Sequence, residues 1–210
     1  MARNRSDMRS SWFESSPTED EKPAEATVDL DYDLPERVIA QNPPLTNVTA
    51  PDVTDRLPVV QLSRTRPIAV VGVHGGAGAT SIAALDAELF LDCGAAWPDS
   101  PNQRQPCLLV SRSSAHGLYA LQTALQQWAA AETPSVELLG VVVIADAPGK
   151  LPKPLDSLLR VVGGGAPRLW RLPWDPAMRL NTESEPVRMR KSARLLRNLR
   201  TLVSTEKENP

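Results

Sequence analysis

Two continuous apolar runs constrain this chain more than any other feature. "IAVVGV" at 68–73 and "LLGVVVIA" at 138–145 are rich in β-branched residues and show no alternation with polar ones. A strand with one wet face alternates; a strand that reads as an unbroken apolar run is buried on both faces, as in a parallel sheet. "CLLVS" (107–111) and "RLWRLP" (168–173) supply two further strands, and the second run extends over 136–146 as "VELLGVVVIAD". Between them lie segments of helical period. "TSIAALDAELFL" (80–91) reads as a helix with Thr80 near its start. "AHGLYALQTALQQWAAA" places Leu118, Leu121, Leu125 and Trp128 on one side. "LDSLLRVV" is a short helix stopped at Gly163–Gly165. "GAAWPDSPNQRQP" (94–106) reads as a loop from its Pro, Asn and Gly content. Alternating strands and helices predict an α/β fold with a mostly parallel sheet flanked by helices.

The flanks have a different texture. Residues 1–60 are rich in Ser, Thr, Pro and acidic residues, with too few apolar positions to repay ordering, and are expected to form a disordered arm. Within it, Trp12–Phe13 and "VDLDYDL" are candidate docking motifs. The α/β domain is expected over 61–185, a basic amphipathic helix over 186–204 and a disordered tail over 205–210. The net charge of −2 hides an asymmetry. From Glu14 to Glu36, the acids Glu14, Glu19, Asp20, Glu21, Glu25, Asp29, Asp31, Asp33 and Glu36 face the single base Lys22, whereas from Pro186 to Arg200 the bases Arg188, Arg190, Lys191, Arg194, Arg197 and Arg200 stand without an acid. Met189, Leu195, Leu196, Leu199, Leu202 and Val203 form the apolar side of that last helix. Three readings of its arginines stand: a solvated face on a docked helix, a nucleic-acid backbone contact, or a contact with an acidic partner or the acidic arm.

The chain has two cysteines, Cys93 and Cys107, without metal-ligand spacing, and they read as reduced thiols. The start lacks an apolar core for a secretory signal, and the longest apolar runs fall well short of the ~20 residues that span a bilayer. A cytoplasmic location without a membrane span is therefore expected.

The loops that carry unusual residues, "HGGAGAT", "SRSSAHG", "ADAPGK" and "PWDPAM", all follow strands, so a parallel sheet puts them on one rim, where ligands of such sheets collect. The first is nearly a phosphate-binding loop. Gly75, Gly76 and Gly78 free the backbone N–H groups to point at an anion, and Thr80 stands where a Mg²⁺-binding hydroxyl belongs. The usual lysine is replaced by Ala79. Ser111, Ser113, Ser114 and His116 lack an orienting carboxylate by spacing and read as a helix cap and surface residues. Trp128, Trp170 and Trp174 read as packing residues, with a partner-facing aromatic patch as the alternative.

"VVGVHGGAGATS" resembles the deviant phosphate loop of ParA/MinD-type ATPases, G-K-G-G-V-G-K-T-T. On that alignment Val73 replaces the first glycine, His74 the signature lysine and Ala79 the second lysine. "PCLLVSRSSAHGLYALQTALQQW" resembles that family's strand and helix after the Walker B segment, "LLGVVVIADAPG" its "lGvVlN" strand, and "WRLPWDPAMRLNTESEPVR" its adenine-bordering end. The resemblance covers residues 67–187. Too little chain separates Thr80 from Cys107 for the family's second and third strands, so the aspartate-bearing switch and Walker B strand are expected to be absent. "IADAPG", with Asp146, is the alternative Walker B reading. The same loops also resemble a family of uncharacterised actinobacterial proteins encoded near conjugative or plasmid-like genes.

The resemblance implies a shortened P-loop fold and a nucleotide rim formed by His74, Gly75, Gly76, Ala77, Gly78, Ala79, Thr80, Ser81, Asp146, Pro173 and Asp175. Its implied ligand is ATP or ADP, with Mg²⁺ at Thr80. The missing lysines imply a protein without competent hydrolysis, acting as an adaptor or regulator for a protein partner. The alternatives are a dimerising switch that draws its cation from Lys150, Arg112 or a partner's arginine, and a nucleic-acid-binding accessory protein built on the basic helix.

Overall fold

The computed structural model describes residues 45, 47–64, 66–100, 104–176 and 192–207. The two apolar stretches form the strands on either side of the central strand of its main sheet, and all three run parallel. Strands are β1 (Val59–Gln61), β2 (Ile68–Gly72), β3 (Phe90–Asp92), β4 (Trp97–Asp99), β5 (Gln105–Arg112), β6 (Val136–Ile144) and β7 (Leu169–Leu172). Helices are α1 (Ala79–Ala83), α2 (Ala115–Ala129), α3 (Lys153–Gly163) and α4 (Ser192–Lys207). Five strands form one sheet in the order β3-β2-β5-β6-β7, and every pairing in it is parallel. The α/β fold with a mostly parallel sheet and flanking helices is thus the observed one.

Each face of that sheet has its own core. Val71, Cys107, Leu109, Val141 and Val143 pack on one side against Leu118, Leu121, Leu125 and Trp128 of α2 and Leu159 and Val162 of α3. Ile68, Val70, Leu108, Val110, Val142 and Ile144 pack on the other against Ala79 and Ile82 of α1 and Leu195 and Leu199 of α4. The period of two along each strand divides the continuous apolar runs between the two cores. α2 starts as its sequence predicts, with the Ser114 side chain accepting the Gly117 N–H at 3.2 Å.

Four expectations are corrected. The helix expected over 80–91 ends at Ala83, because the Asp86 carboxylate accepts the N–H groups of Glu88 and Leu89 and turns the chain into β3. The loop expected over 94–106 contains β4, which pairs in parallel with β1; Pro98 within it disguised the strand. Of the arm expected over 1–60, residues 1–44 lie outside the described residues. Leu45, Val48 and Leu57 pack on the first core instead of standing free. The last helix runs on to Lys207, past the point where a tail was expected.

Gln127 holds that N-terminal segment. Its side-chain oxygen accepts the Leu57 N–H at 3.0 Å and the Nε1–H of the fully buried Trp97 at 2.9 Å. Its amide nitrogen donates to the carbonyls of Leu57 and Glu132, both at 3.1 Å. Every capacity of this buried amide is used, which is the condition under which a polar group belongs in a core. At the other end of the molecule Arg200 of α4 reaches Asp86 at 2.6 Å. That guanidinium, helped by the Leu89 and Glu88 N–H groups and opposed by desolvation, lowers the Asp86 pKa below its ordinary value.

Gln127→Ala is expected to cost about 2–3 kcal/mol, since it strands the Trp97 donor and the Leu57 backbone. Hydrogen exchange of residues 57–61 would rise with it, as denaturant titration and exchange mass spectrometry would show. The Asp86 contribution is fully present above the unfolded-state value of about 4 and is lost as pH falls through the lower folded-state value. The melting-temperature gap between the native chain and Arg200→Gln is therefore expected at pH 7 and closes towards pH 3.

Candidate functional site

The side on which successive strands are added reverses at β2. From β2 the chain passes through α1 to β3 on one side, then crosses to β5 on the other and continues to β6 and β7. The helices that follow β2 and β5 lie on opposite faces. The carboxyl ends of β2 and β5 therefore form a topological switch point, the place where doubly wound sheets hold ligands. The glycine loop and the "SRSSAHG" loop meet there.

The glycine loop is built on close packing. A Cβ on Gly72 would lie 3.3 Å from the Ala77 methyl and 3.4 Å from the Ala79 methyl, so these three small residues set strand against loop. Gly76 and Gly78 have φ of 76° and 100°, a region that L side chains rarely adopt. Gly75 and Gly76 are exposed with open space around them, and Thr80 is exposed. Ala77 and Ala79 are buried. Ala79, the lysine position of the resemblance, is thus a wall of the second core.

His74 joins the loop to β5. Its Nδ1 lies 2.8 Å from the Gly75 carbonyl, and its Nε2 accepts the Arg112 N–H at 3.4 Å. The His116 ring stands edge-on to it, with centroids 5.2 Å apart, so the chain's two histidines meet on the rim. Gly117 permits the approach: a Cβ there would lie 2.3 Å from the Arg112 carbonyl oxygen and 3.0 Å from His74 Nε2. The Ser111 hydroxyl donates to the Gly117 carbonyl, and the Ser113 hydroxyl accepts the Asp146 N–H. Of the serines expected to cap α2 only Ser114 does so; Ser111 and Ser113 are buried and tie the surrounding loops together. The Arg112 side chain bridges the rim, with Nε donating to the Gly76 carbonyl and Nη1 to the Ala145 carbonyl.

The loops expected on one rim are therefore joined there. Asp146 is exposed beside β6, and the Ala145 N–H donates to the Leu172 carbonyl, which brings the end of β7 alongside. Pro173 is half-buried and Asp175 buried in the segment that follows. Ser81 is half-buried on α1. The basic cluster is a separate feature. Arg194, Arg197 and Arg200 lie on α4, whose apolar side is occupied by the sheet, while Arg188, Arg190 and Lys191 lie outside the described residues. Trp128 is a core residue, as expected, and Trp170 packs against the second core.

One rim residue escaped the sequence reading. β3 lies beside the glycine-loop strand and ends in Asp92, whose carboxylate accepts the Gly94 N–H at 2.9 Å; Gly94 in turn accepts the Gly72 N–H. The sequence reading places no strand between Thr80 and Cys107, and β3, like β4, lies there. The run "LFLD" before a glycine was the available signal, hidden by the apparent helix. Both cysteines are free thiols; burial pushes Cys93 up to about 11 and Cys107 well above its ordinary value, so neither is a nucleophile near neutral pH. Among the described residues no cluster of His, Cys, Asp and Glu could hold a metal, and no helix is long and apolar enough to cross a membrane.

Gly117→Ala is expected to destabilise the fold by about 2–4 kcal/mol, because its new methyl meets backbone that cannot retreat. Gly75→Ala, in open space, is expected to be neutral or stabilising by up to about 1 kcal/mol. Parallel denaturant titrations would compare them.

No curated protein and no solved structure matches the chain. A family of unknown function (DUF6668) matches residues 66–195, more than half of the chain and the whole of the five-stranded sheet, and the chain belongs to that family.

Proposed function

We propose that this protein is a non-catalytic or weakly nucleotide-binding ParA/MinD-like adaptor, whose rim and flanking segments engage a protein partner. The observation that carries the reading is the burial of Ala79. A lysine on a phosphate loop must reach the β- and γ-phosphates, and here its position is a methyl packed against Gly72 with 7 % exposure. α1 spans five residues and adds little dipole to the loop. The exposed backbone of Gly75 and Gly76 suits a phosphate group, and Thr80 would hold its Mg²⁺. Bound Mg²⁺ would neutralise phosphate charge, and the chain's own loop supplies N–H donors but no lysine. A role in partitioning, conjugation or mobile-element maintenance follows the family resemblance.

A second reading, a nucleotide-dependent switch with its cation supplied from elsewhere, is favoured by Arg112 across the loop and by Asp92 on the adjacent strand. Identical sedimentation with and without ATP and Mg²⁺ would count against that switch.

Phosphate release from ATP is expected to stay at background for the native chain. Ala79→Lys is expected to leave it there while destabilising the fold by about 1–3 kcal/mol, since the longer side chain enters a filled site. Steady turnover by the native chain, abolished by Gly78→Val, would overturn the adaptor reading.

A further inference from the structure

We propose that Arg112 is the rim's anion-binding cation and that it receives a diphosphate group, the work a loop lysine does elsewhere. The inference rests on reading the rim as a phosphate-recognising site and names the residue that recognises the charge.

The position of Arg112 is set by the sheet. It ends β5, paired with Ile144, and its backbone N–H meets His74. Its guanidinium therefore stands at the switch point between the glycine loop and the end of β6. The charge is half-buried there, and its contacts are two neutral carbonyls: Gly76 at 3.4 Å and Ala145 at 3.2 Å. The first is longer than the usual N–H···O range and the second lies at its upper end. Five other arginines of the fold are matched with carboxylates. Arg56 pairs with Glu132, Arg66 with Glu88, Arg160 and Arg171 with Asp156, and Arg200 with Asp86. Among the described residues no ion pair is formed by Arg112.

A partly desolvated guanidinium held by neutral acceptors gains most from an anion that offers two oxygens to its fork. Phosphate has that geometry. The exposed, unobstructed backbone of Gly75 and Gly76 lies beside it for the remaining oxygens. Asp92 and Asp146 are exposed on the same rim, and Mg²⁺ in solution offsets their repulsion of an anion. Engagement of the anion draws Arg112 from the Gly76 and Ala145 carbonyls and so reports occupancy to the loop after β6.

Isothermal titration of the full chain with inorganic pyrophosphate, ADP and adenosine, in Mg²⁺ at low ionic strength, tests this. Pyrophosphate and ADP bind, and adenosine does not. Arg112→Gln retains amide donors for the two carbonyls but lacks charge, and weakens binding about 10- to 100-fold. Lys153→Gln, at the exposed start of α3, leaves binding unchanged. Should Arg112→Gln fail to fold by its melting curve, Arg112→Lys replaces it and retains measurable binding that collapses with added salt. ADP binding tighter than pyrophosphate assigns a nucleotide as the source of the diphosphate, and equal binding assigns a free diphosphate; either supports Arg112. Unaltered pyrophosphate affinity in Arg112→Gln, adenosine binding as tight as ADP, or no heat from pyrophosphate at millimolar concentration overturns the proposal. None of these results bears on ATP turnover, which alone decides whether the protein is catalytic.

Discussion

A sheet whose central strands are apolar on both faces must be covered on both. That requirement organises the molecule. α2 and α3 are long enough to cover one face, but α1 has a single turn and a half and cannot cover the other. Leu195 and Leu199 of α4 complete it, at 2 % and 0 % exposure. The last helix is therefore half of a core rather than an appendage, and its arginines are the outward side of a structural element. Burying two leucines and their partly buried neighbours contributes several kcal/mol, more than the Arg200–Asp86 pair, with its exposed guanidinium, can add.

The rim depends on small residues in the same way. Gly72, Ala77 and Ala79 close the glycine loop onto its strand, and Gly117 lets the start of α2 approach His74 and Arg112. A loop packed this tightly leaves backbone, not a long side chain, facing outward. The charge at the site comes instead from a neighbouring strand end. Arg112 and Gly76, 36 residues apart, are brought together by the parallel pairing of β2 and β5.

The α/β class, the central strands and the amphipathic helix at 115–129 were legible because hydrophobic period is a local property. Convergence of the four loops was legible too, since a parallel sheet admits little else. The failures share a cause. β1, β3 and β4 are three residues each, too short to show a period, and their strand character comes from partners supplied by the rest of the fold. Asp86 ended a helix through a side-chain turn that helical spacing does not reveal. Residues 45–61 looked too polar to fold, yet Leu57 is held by one glutamine that reads, in sequence, as an ordinary polar position of α2. Asp92 was missed with the strand that carries it.

The clamp between Leu57 and Gln127 also sets an order of events during synthesis. Leu57 is made 70 residues before the side chain that holds it, and Gln61 is made 38 residues before its partner Asp99. Val59 and Val60 are meanwhile on a nascent strand without a neighbour. This strand thus leaves the ribosome well before the residues that secure it, and a holding chaperone that recognises short β-branched segments would find its opening there.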